Sequence, residues 1–360
     1  MMYRMRTALT LASLLLLGGC VVDQDWEEFT LDRAPFANAW VARGGAEFEV
    51  LLADGYTCPD GLPARVYLIE PATPADPLAP RNLALLLHGR NFDIEGTVGQ
   101  QGEVEDVLSA TWGALQVERT LGMESSLGPT AQGQGAWVAE LLARDFSVVA
   151  PANCWGDLWH GQGRNDYDEG FLRLGTWLAD EAIAMADARE GITADPLLVV
   201  ALGEGGRGVV ELHQAGTPID GVFVDGSYDW LAPMTAVPTA YRPELDGLLA
   251  IYHDEVGAIS DPAAQLDALR VALERDSMVA AVRDRGFRAP MVWAWSSVDE
   301  RIDPAFSQPA SDTISTTYPA GQAEVLDWAI PEHAPSNRNP TEAGARLDWL
   351  MGRMGLTTAP

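Results

Sequence analysis

The sequence predicts an α/β fold built on a mostly parallel, doubly wound sheet with helices on both faces. Two observations carry this. The apolar runs Leu83–Leu87 and Pro196–Leu202 are continuous rather than alternating, as strands buried on both faces require. Helical patterns alternate with such runs from Arg65 onward, which is the order of successive βαβ units.

Taken in order, residues 1–19 read as a signal segment. Arg4 and Arg6 give a basic start, and Leu9–Leu17 is an apolar core too short to span a bilayer. Residues 20–45 are polar and irregular, a tether ahead of one domain over residues 46–355. Within it, Arg65–Ile69 reads as an early strand and the proline-rich Pro71–Pro80 as a loop. Leu83–Leu87 reads as a central strand. Residues 92–132 are too long for a simple connection and form an insert, with a helix expected over Glu103–Glu118. A helix over Gly135–Arg144, the strand Phe146–Ala150 and a helix over Asp168–Arg189 follow, the last with apolar residues at 171, 174, 178, 182 and 185. After Pro196–Leu202 come a helix over Val209–Gln214 and the strand Gly221–Val224. A second excursion, residues 228–275, forms a cap, with a helix starting at Asp261-Pro262. Met291–Trp295 and Ala323–Trp328 read as strands and Thr341–Met351 as the closing helix.

The formal net charge is −29, and all 23 basic residues are arginine. Such a charge argues against nucleic acid and anionic headgroups as partners. Missing lysine fits a GC-rich genome or a salty habitat. No Cys/His/Asp spacing suggests a metal site, and no cofactor motif is present: Gly203–Gly208 lacks the Lys-Ser/Thr ending of a phosphate loop.

Leu17-Gly18-Gly19-Cys20 resembles the lipobox of bacterial lipoproteins. The resemblance implies lipid on Cys20, an exported chain, and membrane contact through that anchor alone. Val21 stands where an inner-membrane retention Asp would be, which points to the outer membrane. Cys58 and Cys154 then remain in an oxidising compartment, where a disulfide between them would contribute about 4–5 kcal/mol on the chain-entropy account; a free thiol at Cys154 is the rival reading.

Strand, glycine turn, helix is the context of Gly203-Glu204-Gly205-Gly206-Arg207-Gly208. It resembles the G-x-S-x-G nucleophile elbow of the α/β-hydrolase family. The resemblance runs over Arg65–Arg353 and has three further parts. His88-Gly89 at a strand end is similar to the family's oxyanion motif, Asp299 follows the Met291–Trp295 strand where the acid stands, and His333 follows the next strand where the base stands. It implies an oxyanion hole from Gly89, Arg90 and Gly206. In the register that places Gly203 first, Gly205 occupies the serine position, so the nucleophile site is vacant. Arg207 is the misfit in that register. An alternative register centres Glu204, whose carboxylate could serve as nucleophile or base. Asp225 and Asp229, after the Gly221–Val224 strand, are alternative acids, and Ser227 is a remote alternative nucleophile.

Two functions follow. One is a degenerate hydrolase, esterase-like in descent, that binds a small-molecule ligand or a protein partner. Neuroligins are similar at this one position, carrying glycine at the elbow and working by adhesion. The other is an active ester or amide hydrolase using Glu204 or a water activated by Asp299 and His333. Null roles also fit: Asp299 as a turn cap, His333 as an exposed loop residue.

Overall fold

A computed structural model of the chain describes residues 49–57, 63–87, 136–152, 174–203, 205–229, 231, 234, 249, 252–300, 302–331 and 340–356. Cys20, Cys58, His88, Gly89, Arg90, Cys154, Glu204 and His333 lie outside the described residues, as do the signal segment, the tether and the 92–132 insert.

The strands are β1 (Glu49–Thr57), β2 (Pro63–Ile69), β3 (Arg81–Leu87), β4 (Ser147–Ala152), β5 (Ile192–Leu202), β6 (Gly221–Asp225), β7 (Met291–Trp295) and β8 (Ala323–Asp327). They form one eight-stranded sheet in the order β1-β2-β4-β3-β5-β6-β7-β8. β2 pairs antiparallel with both β1 and β4; every other pairing is parallel. The helices are α1 (Ala136–Leu142), α2 (Leu174–Asp187), α3 (Gly205–Ala215), α4 (His253–Val256), α5 (Pro262–Arg275), α6 (Met278–Arg283), α7 (Gln308–Thr317) and α8 (Pro340–Arg353). Among the described residues, no helix is long and apolar enough to cross a membrane.

The continuous apolar run of β5 is explained by its two neighbours. Leu197, Val199 and Ala201 pack toward α2, α3, α6 and α7. Leu198, Val200 and Leu202 pack toward α1 and α8. Burying each Val or Leu in this way is worth about 1.5–3 kcal/mol, so β5 cannot shift register by one residue without exchanging its two faces. A third, smaller cluster of Tyr228, Tyr252, Val256, Leu269, Leu273 and Phe306 lies under the excursion.

The helix expected from Asp261-Pro262 is α5: the Asp261 carboxylate accepts the Ala263 N–H at 3.2 Å, and proline opens the first turn. α4 and α6 are helices in stretches with no expected element, and three further elements depart from expectation. β1 adds an edge strand ahead of Arg65. α7 fills a stretch with no expected element, because its apolar face is only Ala310 and Ile314. α3 starts at Gly205, four residues before the expected Val209, because packing against the neighbouring strand end overrides the poor helix propensity of glycine.

Leu85 is fully buried near the middle of β3. Replacing it with alanine is expected to cost about 2–5 kcal/mol, read as a lower urea midpoint at unchanged m-value.

Candidate functional site

β5 ends at Leu202 and α3 begins at Gly205, so the chain turns between them, and Gly203 is the described residue of that turn. Gly203 has φ +49, a left-handed backbone. Its N–H donates to the Asp225 carbonyl at 2.9 Å, and its own carbonyl accepts from the Gly206 N–H at 3.2 Å. Left-handed backbone is thus found at Gly203 and not at Gly205, which the sequence reading placed at the serine position. Gly205 is the first residue of α3 and is buried. A sequence signal for this register exists: Ala201-Leu202-Gly203-Glu204-Gly205 has small residues two before and two after Gly203. In that register Arg207 lies outside the pentapeptide and is no misfit.

Gly206 is required by close approach. A Cβ built there would lie 2.0 Å from Ser227 Oγ and 2.7 Å from Ser227 Cβ. Ser227 reaches this place because Gly226, with φ +68, turns the chain after β6 while its N–H donates to the Ala294 carbonyl at 2.9 Å.

The alternative acids part company. Asp225 is the last residue of β6, fully buried, and pairs in register with Leu202 beside the turn. Strand alternation places it on the same face as Phe223, the α8 side. Asp229 is committed elsewhere. One carboxylate oxygen accepts the Leu231 N–H at 2.9 Å. The other accepts Ser277 Oγ–H at 2.7 Å and the Val279 N–H at 3.0 Å, anchoring the start of α6.

Asp299 follows β7, half-buried, and its carboxylate accepts the Ile302 N–H at 3.0 Å. The ends of β7 and β8 are tied together around it. Asp327 accepts the Ser297 N–H at 2.9 Å and the Ala329 N–H at 3.0 Å. Burial pushes the Asp327 carboxyl up, but these hydrogen bonds outweigh it and hold the group below the usual carboxylate range. Ser296 Oγ donates to the Ile330 carbonyl. The chain leaving β8 toward position 333 is thus pinned to the strand that precedes Asp299.

On the other side of the turn lies a buried charged cluster that the sequence reading did not assemble. Arg207 Nη2 donates to Asp276 Oδ2 at 2.9 Å and to the Tyr252 hydroxyl. Tyr252 donates to Asp276 at 2.7 Å. Arg275 donates to Asp276 Oδ1 at 2.9 Å and forks onto Glu255 with two bonds of 2.9 Å. Burial pushes the Asp276 carboxyl up, but the Arg207 charge and the hydrogen bonds from Arg275 and Tyr252 hold it below the usual range. Burial raises the Tyr252 phenol, so it stays protonated and donates. A cleft lined by Arg207, Tyr228, Asp229, Leu273, Asp276 and Ser277 has room for about one water.

Two predictions follow from this geometry. Gly206→Ala is expected to cost about 1–3 kcal/mol by overpacking. Ser227→Gly in the same chain should recover most of it, whereas Ser227→Ala should not, because the Cβ itself collides; thermal melts of the four proteins check this. Asp276 contributes stability that is present above its unfolded pKa of about 4 and is lost as pH falls through its lower folded value. Asp276→Asn should therefore cost about 3–5 kcal/mol near neutral pH. The gap to the wild-type protein should shrink steadily below about pH 4 in urea titrations.

No family model matches this chain, and no curated protein matches its sequence. Among solved structures it is similar to an S-formylglutathione hydrolase from Agrobacterium tumefaciens, with TM-score 0.52 and 12% identity over 87% of this chain and 96% of that one. It is similar to oligopeptidase B from Leishmania major, with TM-score 0.52 and 9% identity over 87% of this chain and 37% of that one. Oligopeptidase B from Trypanosoma brucei gives TM-score 0.52 and 10% identity, over 87% of this chain and 38% of that one. The chain thus spans less than two-fifths of the length of the oligopeptidases it matches. At these identities the likeness is one of fold. Together with the mostly parallel sheet and its helices on both faces, it shows that the chain has the α/β-hydrolase fold.

Proposed function

We propose that this chain is an exported, lipid-anchored protein of hydrolase fold without an acyl-enzyme nucleophile, acting by binding a small-molecule ligand or a protein partner. The observation that carries the reading is glycine at φ +49 in the turn joining β5 to α3. In this fold the attacking side chain projects from that turn. A residue with a Cβ is held there at a cost of about 1–3 kcal/mol, whereas glycine takes the conformation freely and presents no atom to a substrate. The vacant position is therefore Gly203, and Gly205 belongs to the helix behind it.

The remaining parts keep their places along the chain. Asp299 follows β7, His333 follows β8, and Asp225 is a buried second acid beside the turn. His333 with either acid could still act on water, and sites lacking a triad member retain roughly 10³–10⁴-fold catalysis over water. With the vacant position at Gly203, the elbow's oxyanion donor in this reading is the N–H of residue 204 rather than that of Gly206, which donates to the Gly203 carbonyl, and Gly89 and Arg90 are the other donors. Export and anchoring rest on the basic start, the apolar core and Leu17-Gly18-Gly19-Cys20. Replacing Cys20 with alanine should move the protein out of the membrane fraction.

Hydrolysis of short-chain nitrophenyl esters tests the reading. The wild-type protein is expected to show at most residual hydrolysis, far below ordinary enzyme rates. Gly203→Ser should exceed it by at least about 10²-fold, on the scale of a positioned base, and Gly205→Ser should stay silent. Turnover by the wild-type protein at ordinary enzyme rates, abolished in His333→Ala, would overturn the proposal in favour of an active hydrolase working through water or Glu204.

A further inference from the structure

Arg207 is the residue at which the second excursion meets the turn. It is the third residue of α3, its side chain is 5% exposed, and its guanidinium carbon lies 5.5 Å from the centre of the Tyr252 ring. Three separate pieces of chain converge on it: the elbow helix supplies Arg207, the segment entering α4 supplies Tyr252, and the α5–α6 junction supplies Asp276. Arg275 and Glu255 extend the cluster toward solvent. The charges of Arg207, Arg275, Asp276 and Glu255 balance. The apolar residues of the excursion, among them Val256, Leu269 and Leu273, pack into the same small core as Tyr252.

We infer that Arg207 is a positioning residue that latches residues 252–276 onto the elbow helix, making that stretch a fixed wall of the site rather than a lid. The inference rests on the reading of the β5–α3 turn as the site. Lids come from segments with little buried contact and low local stability. Here opening would separate Arg207 from Asp276 and Tyr252 and expose the apolar cluster of Val256, Leu269 and Leu273 to water. Nη2 alone donates to the Asp276 oxygen and the Tyr252 hydroxyl, and what arginine adds is a planar, permanently charged face near the ring, which the point charge of lysine does not reproduce.

Hydrogen exchange of the full chain tests the latch without reference to any activity. In the wild-type protein, amides of residues 252–276 should exchange as slowly as those of α8. Arg207→Met should speed exchange over 252–276 by at least about tenfold, leaving α1 and α8 protected. Arg207→Lys should fail to restore protection, and Tyr252→Phe, which keeps the ring, should fall between wild type and Arg207→Met. In a Gly203→Ser chain, Arg207→Met should raise KM several-fold with kcat kept. Fast exchange over 252–276 in the wild-type protein would overturn the latch, as would Arg207→Met releasing α1 and α8 equally, or full rescue by lysine. If every serine variant is silent toward esters, the reading of the site fails, and exchange still decides the latch.

Discussion

The approach of α3 to the end of β6 is the constraint on which the carboxyl edge of the sheet depends. Gly206 leaves no room for a side chain, and Ser227 fills that room. This contact lets α3 start only three residues after β5 ends, and so makes the turn at Gly203 as tight as it is. The burial of β5 on both faces fixes where the strand stops. Strand and helix together leave the backbone at Gly203 no ordinary conformation, which is why a glycine there is stable whether or not any chemistry is done.

The two sides of the turn are held by different physics. Toward β7 and β8, backbone N–H groups and short polar side chains do the work, at a partly open edge: Asp327 gathers two amides, and Ser296 spans to Ile330. Toward the excursion, the Arg207–Asp276 pair is sunk out of water, with Arg275 reaching Asp276 from the surface. The first arrangement orients two loops at little electrostatic risk. The second is worth its desolvation only while every member stays paired.

Much of the fold was legible in the sequence because its central strands are buried on both faces, and such strands read as unbroken apolar runs. Whereas β8 is a partly buried edge strand broken by Glu324 and ending at Asp327, β3, β5, β6 and β7 announce themselves in this way. β1 does not, since Ala53-Asp54-Gly55 interrupts it with residues typical of turns. α7 is hidden by its polarity, with Ser, Asp and Thr outnumbering its two buried apolar residues. At the site, the presence of the elbow was legible and its register was not. Glycine at 203, 205, 206 and 208 erases the difference between turn and helix, and only the backbone separates them. The Arg207 cluster was beyond reach for another reason: Arg207, Tyr252 and Asp276 are 45 and 24 residues apart along the chain, and nothing local marks them as neighbours.

One feature of the α8 face bears on how the chain acquires this structure. Arg144, just after α1, donates to Asp348 at 2.7 Å and to the Gly344 carbonyl at 2.8 Å, joining residues 204 and 200 positions apart. Ala343, Leu347 and Leu350 of α8 cover the same face of the sheet that α1 covers beside β4. Until α8 arrives, the face of the sheet that carries Phe223 and Val292 is left uncovered, and the order of assembly is dominated by contacts distant in sequence. Folding is therefore slow relative to a helical bundle of equal length, and a chain emerging from synthesis holds an adhesive half-finished sheet until α8 docks.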